Sequence, residues 1–183
     1  MIAVTSLLDQ SHSERVTELT ELLEKKFGLA GVKMTPYPHL TLLTAEIPDM
    51  EELREYLEQT CRETNPFSIR TTGLGVFPGD TPVIYIPVLR TPPLNQLHAR
   101  LHRDISEMSS EMGIYYNPNM WLPHISLALG DTTPDMMGPV LTFLFNYNFN
   151  WEIKLDNLTI LQKCGDFYLK DDEYHFGRKE LTT

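Results

Sequence analysis

Two histidines occupy near-identical surroundings almost half a chain length apart. The segments read Pro38-His39-Leu40-Thr41-Leu42 and Pro123-His124-Ile125-Ser126-Leu127. Their alternation of polar and apolar residues is that of short β-strands, whose side chains point to opposite faces in turn. His39 and Thr41 therefore share one face, with Leu40 and Leu42 opposed to them. His124 and Ser126 pair in the same way against Ile125 and Leu127. Burying two such imidazole–hydroxyl pairs in separate cores would leave polar groups without partners, at roughly 1–3 kcal/mol each. One cleft shared by both pairs avoids that cost.

Two imidazoles with ordinary pKa values near 6.5 can be poised with one neutral and one protonated around neutrality. The neutral ring can take a proton from an attacking water while the charged ring gives one to the leaving oxygen. The hydroxyls of Thr41 and Ser126 can hold non-bridging phosphate oxygens. This is a kit for in-line attack on a phosphodiester without a metal, and the histidines should titrate as a coupled pair.

The surrounding pattern repeats as well. Residues 1–8 read as a strand. Ser11-His12-Ser13-Glu14 is a capping-box match ahead of Val16, Leu19, Leu23 and Phe27 at helical spacing, and Gly28 ends that helix. After the first histidine strand, Asp49 caps a second helix with Met50, Leu53, Leu57 and Cys61 on its apolar face. Phe67–Phe77 and Thr81–Leu89 read as strands joined by Pro78-Gly79-Asp80. The order then begins again: a helix from Pro92-Pro93 to Gly113, a strand over 122–129, and a short helix from Pro134 in which Gly138-Pro139 disturbs the first turn. Trp151–Phe176 reads as a hairpin turning near Gly165-Asp166. Each histidine segment is followed by Pro-Asp-Met, at Pro48 and at Pro134. Such a repeat predicts an α+β fold, a single domain over residues 1–183 with lobes of approximately 1–80 and 81–183. In it a pseudo-twofold repeat places two antiparallel sheets along a central cleft, with helices packed outside.

Composition narrows the partners. A net charge of −10, with only short basic pairs such as Lys25-Lys26 and Arg178-Lys179, argues against a long duplex nucleic acid. A small nucleotide or RNA end held at one site fits better. No apolar run reaches the roughly 18 residues of a membrane span, and the N-terminus reads as a strand rather than a signal peptide. A cytoplasmic monomer that does not engage a membrane is expected. Cys61 and Cys164 stand far apart without metal-ligand spacing and read as free thiols.

The two His-x-Thr/Ser motifs, in register with an internal repeat, resemble the signature of the two-histidine (2H) phosphoesterase superfamily. That group includes 2′-5′ RNA ligase-like proteins and cyclic phosphodiesterases. The resemblance spans most of the chain. It implies a bilobal α+β fold and hydrolysis of 2′,3′-cyclic phosphates, or cleavage or joining of 2′-5′ linkages, with His39 and His124 catalytic and no cofactor. One departure stands out. Many bacterial ligase-like members carry an arginine at the end of the second motif's strand, where this sequence reads Leu127-Ala128-Leu129-Gly130. The missing cation favours small cyclic nucleotides or RNA ends over a long RNA. Reversible RNA ligation and a non-catalytic nucleotide or RNA-end binding module are the alternatives.

Other residues near the motifs have both a functional and a plainer role open to them. Tyr37, Tyr85 and Trp121 lie near the motifs and could stack a base, although core or rim packing would also account for them. Lys163 follows an apolar strand and could neutralise phosphate, or be a surface lysine. His98 and His102 are four apart on a helix, but no Glu completes a metal motif, so no metal site is expected.

Overall fold

A computed structural model describes residues 1–177, so Arg178-Lys179 lies outside the described residues. In chain order its strands are β1 (Ile2–Leu7), β2 (His39–Glu46), β3 (Phe67–Arg70), β4 (Gly75–Phe77), β5 (Val83–Pro87), β6 (Glu111–Met112), β7 (His124–Ala128), β8 (Glu152–Leu155), β9 (Asn157–Cys164) and β10 (Phe167–His175). The helices are α1 (Gln10–Phe27), α2 (Met50–Glu63), α3 (Pro92–Met108) and α4 (Met137–Leu144). The fold is α+β with antiparallel pairing throughout. A five-stranded sheet runs β10-β9-β1-β2-β6, and a three-stranded sheet runs β4-β5-β7. A third pair, β3-β8, is tied to the second sheet by a bridge between Thr71 and Val88.

Local signals explain most boundaries. Asp49 accepts from the backbone N–H groups of Glu51 and Glu52, which fixes the start of α2 as expected. The cap of α1 falls earlier than the Ser11 match suggests. Asp9 accepts from the His12 N–H, and Ser11 donates its hydroxyl to Asp9 instead of capping. A carboxylate there satisfies an orphan donor and complements the helix dipole. Gly28 ends α1 with φ 75°, a left-handed turn that glycine adopts without strain. Pro139 is tolerated in α4 because it sits in the first turn, where its missing N–H has no intrahelical acceptor.

Tertiary pairing overrides three sequence expectations. Helix α3 stops at Met108 rather than Gly113, and Glu111 and Met112 instead pair with Glu46 and Ala45 at the sheet edge. The expected strand Phe67–Phe77 divides at Gly73 (φ 62°), with β3 going to β8 and β4 to β5. The tail holds three strands, since β8 precedes the β9–β10 hairpin whose turn does fall at Gly165.

Each sheet draws strands from both halves of the chain. A lobe boundary near residue 80 would fall between β4 and β5, which pair with each other, so the sheets do not follow it. The core lies behind the histidine strands. Leu40, Leu42 and Leu43 on β2 are fully buried, as are Ile125, Leu127 and Ala128 on β7 to within 1%. At about 1.5–3 kcal/mol for each large apolar side chain removed from water, these leucines anchor both strands firmly.

Candidate active site

Strands β2 and β7 belong to different sheets yet lie beside each other. The indole N–H of Trp121 donates to the carbonyl of Thr41 at 3.2 Å, pinning the approach to β7 against β2. Between the strands opens a cavity of about 460 Å³, within the range of small-molecule sites. His39, Thr41, His124 and Ser126 all line it. The period-two reading of each motif thus holds, and the four side chains share one space.

Both imidazoles are held in the same manner. Nδ1 of His39 contacts the Tyr37 carbonyl at 2.6 Å, and Nδ1 of His124 contacts the Leu122 carbonyl at 2.7 Å. A carbonyl only accepts, so each Nδ1 carries its proton and donates. Nε2 is then the nitrogen left to exchange protons, as a base in the neutral ring and as an acid in the charged one. Burial pushes both histidines below the ordinary imidazole range. For His39 the neighbouring charge of His124 adds to that effect, opposed by the Tyr37 carbonyl.

A second shared feature follows each motif. Thr5 faces Thr41 and Val4 faces Leu43, so Leu42 is an extra residue in β2, a β-bulge. On β7, Ser126 faces Tyr85 and Ala128 faces Ile84, so Leu127 is the corresponding extra residue. Each bulge reverses the alternation beyond it. Thr44 and Leu129, three residues past Thr41 and Ser126, consequently return to the cavity face, and both line it. Strict alternation would have hidden Thr44, so the sequence reading missed both residues.

The other candidates separate by place. Tyr37 is in the cavity wall and also orients His39 through its carbonyl. Tyr85 is buried outside the lining, stacked on Phe77 at 4.1 Å, and both rings pack 5.1 Å from that of His124. Gly75 leaves room for it, since a Cβ there would overlap the Tyr85 ring. Trp121 is buried (3% exposed) and stacks on His98 rather than facing the cavity. Lys163 lies on the exposed end of β9 opposite Tyr168 and is not in the wall. Tyr85 and Trp121 therefore hold the frame of the site rather than offering a face for base stacking. Tyr116 and Tyr168 are wall residues that sequence reasoning did not single out, because their segments carried no motif. Tyr116 sits against Thr41, and burial pushes its phenol up.

Charge in the wall is sparse. Among the described residues it contains no carboxylate; beyond the histidines its cationic groups are Lys33, ion-paired with Glu24, and the Met1 amine, 2.6 Å from Glu46. His98 and His102 are not joined by a third metal-ligating side chain among the described residues. Also among these residues, no helix is long and apolar enough to cross a membrane.

Comparison with known proteins gives a consistent picture. The family model described as the 2′-5′ RNA ligase superfamily matches residues 8–166. A protein of Oceanobacillus iheyensis named "Putative phosphoesterase OB1230" is 31% identical over 132 residues, covering 70% of this chain and 73% of that protein. A Bacillus cytotoxicus protein of the same style of name is 26% identical over 148 residues, covering 77% and 80%. Among solved structures, a Thermus thermophilus protein superposes with a TM-score of 0.64 at 18% identity, covering 96% of this chain and 97% of its own. A second, described as a phosphoesterase, gives 0.55 at 14% identity, covering 97% and 98%. At these identities the superpositions speak for the fold.

Proposed function

Because the chain belongs to the 2′-5′ RNA ligase superfamily, we propose that it is a metal-independent phosphodiesterase. In this reading it opens 2′,3′-cyclic phosphates, or cleaves 2′-5′ linkages, at nucleotides or RNA ends. One observation carries the reading: His39 and His124 line one cavity, each with Nδ1 committed to the carbonyl two residues back. Both Nε2 atoms are thereby free for proton transfer.

The chemistry balances without further components. Water attacks phosphorus while one neutral Nε2 takes its proton. The bond to the departing sugar oxygen breaks as the other, protonated Nε2 supplies a proton to that oxygen. The pair ends with its charges exchanged and returns through solvent. Thr41 and Ser126 donate to the non-bridging oxygens, and the imidazolium offsets the charge gathering on phosphorus. A phosphate monoester and a free hydroxyl are the products. The burial-lowered basicity of both rings moves the state with one neutral and one charged ring to the acid side of the ordinary imidazole range.

The test is turnover of nucleoside 2′,3′-cyclic phosphates and 2′-5′ dinucleotides by the wild type and by His39→Ala and His124→Ala. Each variant should lose about 10²–10⁴-fold in kcat, and the double variant little more, because the two rings act as one unit. Excess chelator should leave the wild-type rate unchanged. Near-wild-type rates in both single variants, or abolition by chelator, would remove the proposal.

A further inference from the structure

Thr44 and Leu129 occupy matching positions, each just past a bulge and each in the cavity wall, yet one bears a hydroxyl and the other only hydrocarbon. The Thr44 side has been kept open. Gly113 donates its N–H to the Thr44 carbonyl at 2.8 Å, and a Cβ on Gly113 would overlap the Thr44 hydroxyl and crowd the Tyr116 ring. With Gly113 there, the Thr44 hydroxyl and the Tyr116 phenol share one end of the wall. Tyr168, also in the wall, adds a second phenol to the cavity. Hydroxyls of this kind donate and accept, so they suit sugar hydroxyls and base edges. They do not offset a full charge. Among the described residues, the two remaining cationic groups of the wall have carboxylate partners.

Resting on the two-histidine reading, we infer that the cavity takes one phosphate flanked by uncharged groups. Thr44 and Tyr116, given room by Gly113, form a neutral hydrogen-bonding subsite for a nucleoside moiety, and Leu129 closes the matching position to a second phosphate. Thr44 and Leu129 are then the specificity-determining residues of the site, selecting an uncharged nucleoside over a 5′-phosphorylated one. A phosphate brought against Leu129 would lose water without gaining a cation, and an unpaired buried charge is costly. A site built to hydrogen-bond a substrate group discriminates strongly against its absence.

Steady-state kinetics on three compounds tests this: adenosine 2′,3′-cyclic phosphate, its 5′-phosphorylated form, and ethylene phosphate, a cyclic diester with no nucleoside. The wild type should show a KM about tenfold higher for the 5′-phosphorylated compound, and Leu129→Arg should narrow or reverse that gap. Thr44→Val should raise KM for adenosine 2′,3′-cyclic phosphate about tenfold with kcat within about twofold, and leave both constants for ethylene phosphate unchanged. Equal or better use of the 5′-phosphorylated compound by the wild type overturns the inference. So does a Thr44→Val effect that is the same for ethylene phosphate, since that marks a general structural change. If the wild type turns over none of the three, the two-histidine reading fails on its own account. Calorimetry then decides the subsite: tighter binding of adenosine 3′-phosphate than of adenosine 3′,5′-bisphosphate upholds it, and the reverse order overturns it.

Discussion

His98 lies face to face with Trp121, ring centroids 3.7 Å apart and planes 2° from parallel. Trp121 in turn donates to the Thr41 carbonyl, so the stack supports the strand that carries His39. His98 is fully buried, and among the described residues neither ring nitrogen reaches a partner at good hydrogen-bond geometry, although the Leu42 and Tyr116 backbones lie near enough to favour its charged form somewhat. Burial prevails, with lesser repulsion from His102 and Arg90, and lowers its pKa to about 4.

A pH-dependent stability follows. An unfolded-state histidine, with pKa near 6.5, binds its proton before the folded one does, so the unfolded state is favoured as pH falls. Stability should be full above about pH 6.5, decline through the window down to about 4, and level off below, a total on the order of 3 kcal/mol from this residue. Replacing His98 with Phe keeps the stack and removes the titration. Urea melts of His98→Phe should show a flatter pH dependence across that window; an unchanged slope would place the effect elsewhere.

Activity should have its own acid-shifted profile. Both catalytic candidates are pushed below the ordinary imidazole range by burial, so the bell of kcat/KM should centre below about pH 6.5. A bound phosphate favours the charged ring, which moves the bell for kcat towards alkaline pH. Rate profiles in constant-ionic-strength buffers measure both, and an optimum above about pH 8 for kcat/KM would contradict the assignment.

Gly75→Ala should act on His124 through an intermediary. The new Cβ would overlap the Tyr85 ring, which packs against His124. Overpacking of this kind costs about 1–3 kcal/mol, read as a lower thermal midpoint. Displacement of the imidazole should lower kcat at least about tenfold with a smaller change in KM. A stability loss with kcat intact would mean that the ring stack does not position His124.

Asp131 ties the segment after β7 to the segment that walls the cavity. One carboxylate oxygen accepts from the N–H groups of Ala30 and Gly31 at 2.6 and 2.7 Å. Gly31 approaches so closely that a Cβ would overlap the Leu129 carbonyl oxygen. Asp131→Ala releases residues leading to Val32–Tyr37, including the carbonyl that orients His39. A loss of about 1–3 kcal/mol is expected, with KM rising more than kcat falls. Asp131→Asn, which keeps one acceptor, should recover part of the KM effect.

Several elements were legible in the chain. The apolar stripes of α1 and α2, the Asp49 cap and the Gly165 turn follow from rules that act within a few residues. The same locality let His39 be paired with Thr41, and His124 with Ser126, because alternation along a strand depends on backbone geometry alone. Tyr85 and Trp121 were harder to read, since an aromatic near a motif looks the same whether it faces a ligand or supports a frame.

By itself, then, the sequence determined the two motif faces, their hydroxyl neighbours and the α+β character of the chain. Only the tertiary structure decided that β6 would leave the end of α3 to pair with β2, and that β2 and β7 would meet across separate sheets. It also decided that a bulge in each would return Thr44 and Leu129 to the cavity. The reason is physical. A bulge is defined by the partner strand it faces, and a cavity by surfaces distant in sequence, so neither is encoded within any short window of residues.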